Sequence, residues 1–233
     1  MCELLGMSAN VPTDIVFSFT GLMQRGGRTG PHSDGWGIGF YEGRGLRLFQ
    51  DPTASADSEV ARLVQRYPIK SHVVIGHIRQ ANAGPVSLAN THPFSRELWG
   101  RHWCFAHNGQ LLDFYAETGF YRPVGETDSE AAFCDLLNRV RDAFPAPVDV
   151  QLLLPTLVAA CSEYRGKGVF NCLLSDGDWL FSFCSTKLAV ITRRAPFGPA
   201  RLRDADVTVD FQVMNALISC WRQFNGLPAK NSK

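Results

Sequence analysis

The feature that most limits the fold is a series of short apolar segments, rich in aromatic and β-branched residues and each bounded by Gly, Asp, Asn or Ser. They cover residues 36–41, 46–49, 72–78, 103–107, 169–174, 179–184 and 187–192. Runs of this length and chemistry read as strands. Two of them flank Asp176-Gly177, a short-range hairpin signal. Successive hairpins predict antiparallel sheets. Helical signals are fewer. Pro12-Thr13-Asp14 opens a helical segment to about Met23, and Ser55 precedes a second over 57–65, where Val60, Leu63 and Val64 share a face. A third begins at Thr127-Asp128-Ser129-Glu130, a capping box followed by Ala131, Ala132, Phe133, Leu136, Leu137 and Val140 at helical spacing. Strands in runs with interspersed helices predict an α+β fold in which helices cover sheet faces.

With 45% apolar residues in 233, the chain fills one sizeable core. No repeat, low-complexity tract or linker divides it, so residues 1–233 are expected to form a single domain. A net charge of +1 creates no field for a polyanion, which argues against nucleic acid and anionic membrane as partners. The richest apolar stretch, 148–161, is broken by Asp149, Gln151 and Pro155 and does not span a bilayer. The start lacks a basic segment and carries Asp14 within its apolar part, so a cytoplasmic location is expected. Seven cysteines, an odd number without a Cys-x-x-Cys pair, read as reduced thiols among apolar neighbours. Cys2 differs, because loss of Met1 would place its thiol and a free α-amine on one residue.

That amine has an ordinary pKa of about 7.7–8.0, so it can serve as a base beside its own thiol. Alone, a Met-Cys start is more often without meaning. Ala106-His107-Asn108-Gly109 ends an apolar strand, and the Asn108 side-chain amide with the Gly109 N–H forms a donor pair suited to an oxyanion. Alone, Asn-Gly is far more often a type I′ turn. Arg79 ends another strand with a group that grips carboxylates, and Asp128 at a helix N-terminus can receive an ammonium. Each is by itself an ordinary ion pair or cap. Together with Cys2 they supply what is needed to hold an α-amino acid and attack its side-chain amide.

Met1-Cys2, Gly76-His77-Ile78-Arg79, Thr91-His92-Pro93-Phe94, Phe105-Ala106-His107-Asn108-Gly109 and Gly125-Glu126-Thr127-Asp128-Ser129-Glu130, in this order, resemble the glutaminase domain of class II glutamine amidotransferases, which are N-terminal nucleophile hydrolases. The segments 32–41 and 191–198 are similar to the stand-alone, YafJ-like branch, and the likeness extends to about Phe211. The resemblance implies a four-layer αββα sandwich of two stacked antiparallel sheets. It implies Cys2 as nucleophile, Asn108 and Gly109 as oxyanion hole, Arg79 for the substrate carboxylate and Asp128 for its ammonium group, with no metal and no cofactor. The expected activity is amide hydrolysis of glutamine or a related γ-glutamyl amide through a Cys2 thioester. The chain departs from synthase-linked members at Gln80-Ala81-Asn82. It also departs at an atypical segment, 212–233, where Phe211, Met214, Leu217, Ile218, Trp221 and Phe224 predict a helical face.

Rival readings are weaker. Alternation puts His102 and Cys104 on one strand face and His107 on the other, against a metal site. His32 and Asp34, in Gly-rich surroundings before Trp36, fit a tight loop under the site, and Arg193-Arg194 fits a solvated turn. A binding or regulatory module without turnover is the remaining alternative. Since the expected fold consumes roughly 210 residues, too few remain for a synthase domain. Water is then the expected acceptor, unless a separate synthase subunit takes the ammonia. Any further partner would be a second copy of the chain.

Overall fold

The computed structural model describes residues 2–82, 84–116, 118–193, 198–202, 208–211 and 217–221. Two antiparallel sheets lie face to face between two helical layers, the expected αββα arrangement. The first sheet has six strands in the order β3-β2-β4-β1-β12-β9, from β1 (Glu3–Asp14), β2 (Trp36–Glu42), β3 (Gly45–Asp51), β4 (Lys70–Ile78), β9 (Ala189–Arg193) and β12 (Leu217–Trp221). The second has the order β5-β6-β7-β8, from β5 (Phe94–Leu98), β6 (Arg101–Leu111), β7 (Gly168–Ser175) and β8 (Phe181–Cys184). A separate pair joins β10 (Gly198–Arg201) to β11 (Thr208–Phe211).

Alternation along the strands sorts the apolar side chains into three cores. Leu5, Met7, Trp36, Ile38, Phe40 and Val74 face α1 (Val16–Gln24) and α2 (Glu59–Arg66), which contribute Phe19, Leu22, Ala61 and Val64. Phe105, Phe170, Cys172 and Leu174 face α3 (Asp128–Ala143) and α4 (Val150–Arg165). Leu4, Tyr41, Val73, Ile75, Cys104, Ala106 and Leu173 fill the space between the sheets. The Tyr41 hydroxyl pins the sandwich from within, since it lies 2.9 Å from the carbonyl oxygens of both His102 and Ser175.

Local chemistry sets the helix starts. Ser58 caps α2 by accepting from the Ala61 N–H at 3.1 Å, and Thr127 caps α3 through the Glu130 N–H at 3.2 Å. Glu130 completes the cap differently from a capping box. Its carboxylate accepts from the Gly125 N–H at 2.7 Å and pairs with Arg96 at 2.5 Å. The first helix begins later than expected, because residues 12–14 finish β1 and the Asp14 carboxylate then accepts from the Val16 N–H at 2.7 Å.

One expectation is overturned. Within the stretch expected to be a helix from Phe211 to Phe224, Leu217–Trp221 is a strand, paired with β1 on one side and β9 on the other. The backbone of β1 needs a partner along its second edge, and a near-continuous apolar run is what a central strand carries. Phe211 ends β11, and the remainder of the predicted segment, Met214 and Phe224 included, lies outside the described residues, as does Arg194 of the Arg193-Arg194 turn. Among the described residues no helix is long and apolar enough to cross a membrane.

Candidate active site

Cys2 immediately precedes β1, and the pairing of β1 with β4 sets Glu3 opposite Ile78, so the chain just after β4 runs beside the sulfur. The Gln80 N–H donates to Cys2 Sγ at 3.3 Å, and Sγ lies 3.4 Å from the Gln80 carbonyl oxygen. The path of that segment is fixed from the 32–35 loop. Asp34 N–H donates to the Arg79 carbonyl, Arg79 N–H to the Gly35 carbonyl, and Ala81 N–H to the Asp34 carboxylate at 2.7 Å. Gly35 makes the turn possible with a φ of +112°, in the region that favours glycine. The 32–36 stretch therefore supports the site from below, as its sequence implies.

Arg79 and Cys2 line the same cleft. The guanidinium donates to the carbonyl oxygens of Asp34, Pro85 and Gly84 at 3.2–3.4 Å. Burial pulls its pKa down, while Cys2 and Asp34 oppose that shift. Carbonyl oxygens orient a guanidinium without cancelling its charge.

The second sheet brings the other groups. Asn108 and Gly109 lie inside β6, paired with Asn171 and Phe170 of β7, and are not a turn. The Asn108 amide reaches across the seam and donates to the Cys2 carbonyl oxygen at 2.5 Å. Its own carbonyl accepts from Asn171 Nδ2 at 3.0 Å. A Cβ at Gly109 would stand 1.7 Å from the Val169 carbonyl oxygen, so a side chain there would force the strands apart. Asp128, the first residue of α3, accepts from the Leu111 N–H at 2.6 Å and lines the cleft with Thr127 and Ser129. The five residues singled out from the sequence thus converge: Cys2, Arg79, Gly109 and Asp128 line one cleft, and Asn108 is hydrogen-bonded to Cys2.

Sequence reasoning missed the histidine seam beside them. His107 sits between Ser129 Oγ at 2.8 Å and the Val169 carbonyl at 3.1 Å, and His77 Nε2 lies 3.1 Å from the His107 carbonyl. His92 stacks on His77 with ring centroids 4.2 Å apart and lines the cleft. Burial depresses all three, His77 to about 3, so the rings are neutral. His102 is exposed and Cys104 lies between the sheets, apart from His107. Among the described residues no group of His, Cys, Asp and Glu is arranged to hold a metal.

A second cavity of about 620 Å³ shares Gln110, Thr127 and Asp128 with the cleft and is lined further by Phe114, Tyr115, Arg122 and Glu126. No sequence signal pointed to it, since its walls come largely from the irregular connections over 112–116 and 122–127.

The chain is similar to known proteins over most of its length. The family model described as "Glutamine amidotransferases class-II" matches residues 1–218. The Escherichia coli (strain K12) protein named "Putative glutamine amidotransferase YafJ" is 62% identical over 213 residues, 91% of this chain and 84% of its own length. A crystal structure titled as a predicted glutamine amidotransferase from Pseudomonas aeruginosa PA01 is 67% identical, with a TM-score of 0.76, over 100% of this chain and 92% of the other. The gamma-glutamyl-hercynylcysteine sulfoxide hydrolase of Mycobacterium tuberculosis (strain ATCC 25618 / H37Rv) is 31% identical over 80 residues, 34% of this chain and 32% of its own. For fold alone, the glutamine phosphoribosylpyrophosphate amidotransferase from B. subtilis aligns at 15% identity and a TM-score of 0.59, over 94% of this chain and 41% of the other, and shares the N-terminal nucleophile hydrolase sandwich. Fold, motif order and near-complete coverage agree, and the chain belongs to the class II glutamine amidotransferases.

Proposed function

We propose that the chain hydrolyses the side-chain amide of glutamine or of a related γ-glutamyl amide through a γ-glutamyl thioester on Cys2. The observation that carries this reading is the meeting of Cys2 with an amide donor, a guanidinium and a helix-terminal carboxylate at one cleft. With Met1 removed, the α-amine takes the thiol proton, sulfur attacks the amide carbon, and Asn108 with the Gly109 N–H receives the oxyanion. The amine leaves with that proton, and water then cleaves the thioester. Arg79 holds the α-carboxylate and Asp128 the α-ammonium group. No step calls on a metal or cofactor. Seven cysteines set mostly among apolar neighbours, with no Cys-x-x-Cys pair, fit action in the reducing cytoplasm.

Gln80 and Asn82 line the cleft where the family's synthase-linked members differ, and the adjoining 620 Å³ cavity offers room beyond glutamine. Both favour a γ-glutamyl compound larger than glutamine as substrate. The hydrolase relative named above acts on such a compound by its name. The test is a labelling and turnover experiment. A glutamine-like diazo ketone should add one label per chain at Cys2 of protein whose mass shows Met1 removed, and γ-glutamyl amides should yield glutamate. Cys2→Ala should abolish turnover with the fold intact. A Met1-retaining chain that is fully active would defeat the amine-as-base mechanism, and a strict preference for glutamine, raised by an added synthase subunit, would favour a split amidotransferase.

A further inference from the structure

The proposed mechanism assigns the cleft residues Cys2, Arg79, Gly109 and Asp128 and leaves His92 without a role. The backbone around His92 is held on both sides. Gln50 Nε2 donates to the carbonyls of Thr91 and Pro93, the latter at 3.0 Å, and Thr91 Oγ1 donates to the Ser87 carbonyl at 2.8 Å. Gly37 leaves open the space where a Cβ would stand 2.2 Å from the His92 carbonyl oxygen. The ring itself is sandwiched between His77 and Phe94, with centroid distances of 4.2 and 4.4 Å.

Within this setting neither ring nitrogen has a hydrogen-bond partner among the described residues, although the residue is only 3% exposed. Its neighbour His107 has both nitrogens satisfied, and His77 has one. A buried polar atom left unpaired costs about 1–3 kcal/mol, a cost met when a ligand supplies the missing bond. In the proposed mechanism the charged ends of a glutamyl substrate are met by Arg79 and Asp128, so neither is needed to satisfy this ring. A carboxylate needs donors only and an ammonium acceptors only, whereas a neutral imidazole with no fixed tautomer can present a donor or an acceptor. Its complement is a small neutral group that both gives and takes hydrogen bonds. In a thioester reaction two such groups occupy the same place in turn: the leaving amine and the entering water.

We infer that His92 holds the water that releases the γ-glutamyl group from Cys2, at the place the leaving amine has vacated. This rests on the thioester reading above. In that step the water oxygen bonds to the thioester carbon and the carbon–sulfur bond breaks. The water proton passes to the Cys2 α-amine and from there to sulfur, so glutamate and the free thiol result. His92 undergoes no net change. It fixes the direction from which water approaches, by a hydrogen bond from one ring nitrogen.

Acylation and deacylation separate the possibilities. His92→Phe keeps an aromatic ring and removes both nitrogens, while His92→Gln returns a donor and an acceptor. With a γ-glutamyl amide followed by rapid quench and mass spectrometry, wild type and His92→Phe should acylate Cys2 at similar rates, because the amine is held in place by its bond to the substrate until it leaves, whereas the water is held by His92 alone. Deacylation of His92→Phe should fall roughly 10²-fold, the scale of a misplaced reactant, so that γ-glutamyl-enzyme accumulates. His92→Gln should recover most of that loss. Hydroxylamine, a stronger nucleophile, should restore turnover, and its partition against water is a ratio independent of the folded fraction. Equal losses in both steps, or unchanged deacylation and partition, would overturn the role of His92. Absence of any acyl-enzyme in the wild type would instead overturn the thioester reading itself.

Discussion

The two halves of the sandwich hold their functional groups by different means. In the six-stranded half, Cys2 and Arg79 are held mainly by backbone: the Gln80 peptide group flanks the sulfur, and the carbonyls of Asp34, Gly84 and Pro85 hold the guanidinium. In the four-stranded half, Asn108 is fixed by strand register and Asn171, and Asp128 by a capped helix start and the Leu111 N–H. A grip made by loop carbonyls changes whenever the loop path changes. A grip made by register and helix caps does not. The first half is therefore the side able to adjust to a ligand, and the second is the template against which it adjusts.

The sharpest test of this contrast takes one charge from each half. Arg79→Ala and Asp128→Ala should each raise KM for a γ-glutamyl amide by the equivalent of about 2–5 kcal/mol, the usual effect of removing one partner of a desolvated charge pair. Steady-state kinetics will show whether the two effects match. An unchanged KM in Arg79→Ala would reduce that residue to a support for the 84–85 loop. Next in size, Asn108→Ala should leave KM nearly alone and lower kcat by about 10²–10³, as for other single oxyanion donors. An equal rise in KM would mean that its bond to the Cys2 carbonyl matters more than any oxyanion.

The histidine seam is shared by both halves and should make the whole sandwich sensitive to acid. His77, His92 and His107 are neutral when folded because burial lowers their pKa values, whereas in the unfolded chain they charge near pH 6.5. Below that pH the unfolded state binds more protons, so stability is full above about 6.5 and falls as pH drops, by up to about 1.4 kcal/mol per pH unit for each histidine. For His77 the loss should continue to about pH 3. Urea midpoints at pH 7.5, 6.5 and 5.5 test this, and a flat profile would mean that the seam admits water. The smallest effect compares two helix caps. Ser58→Ala and Thr127→Ala should each cost about 1 kcal/mol. Only the Thr127 change should also raise KM, because that cap carries Asp128; a matching rise in Ser58→Ala would erase the distinction between the halves.

Much of this was legible where one local signal acted alone. The strand segments reappear as β2, β3, β4, β6, β7, β8 and β9, and the Thr127 cap begins α3 as read. The helix α4 was obscured by Pro155, which stands inside it. That proline is tolerated because its position is exposed, so the carbonyl losing its N–H partner can turn to water. The strand Leu217–Trp221 was hidden because spacings of three and four residues also occur in a continuous apolar run, and pairing with a distant edge leaves no local trace. The residues that converge on the cleft were legible through motif order. His92 carries no site signal of its own in the sequence, since only packing reveals that its nitrogens lack partners among the described residues.

The position of β12 also has a consequence in time. The strand that follows Cys2 is among the first parts of the chain to be made, yet one of its two edges is closed by Leu217–Trp221, more than 200 residues later. Until that segment leaves the ribosome, β1 presents an open edge, a template for any passing strand. Such late, long-range closure slows folding and exposes the nascent chain to mispairing. A chain whose synthesis stops before residue 217 would hold every residue proposed here for the chemistry and still lack the strand that completes the sheet beside Cys2.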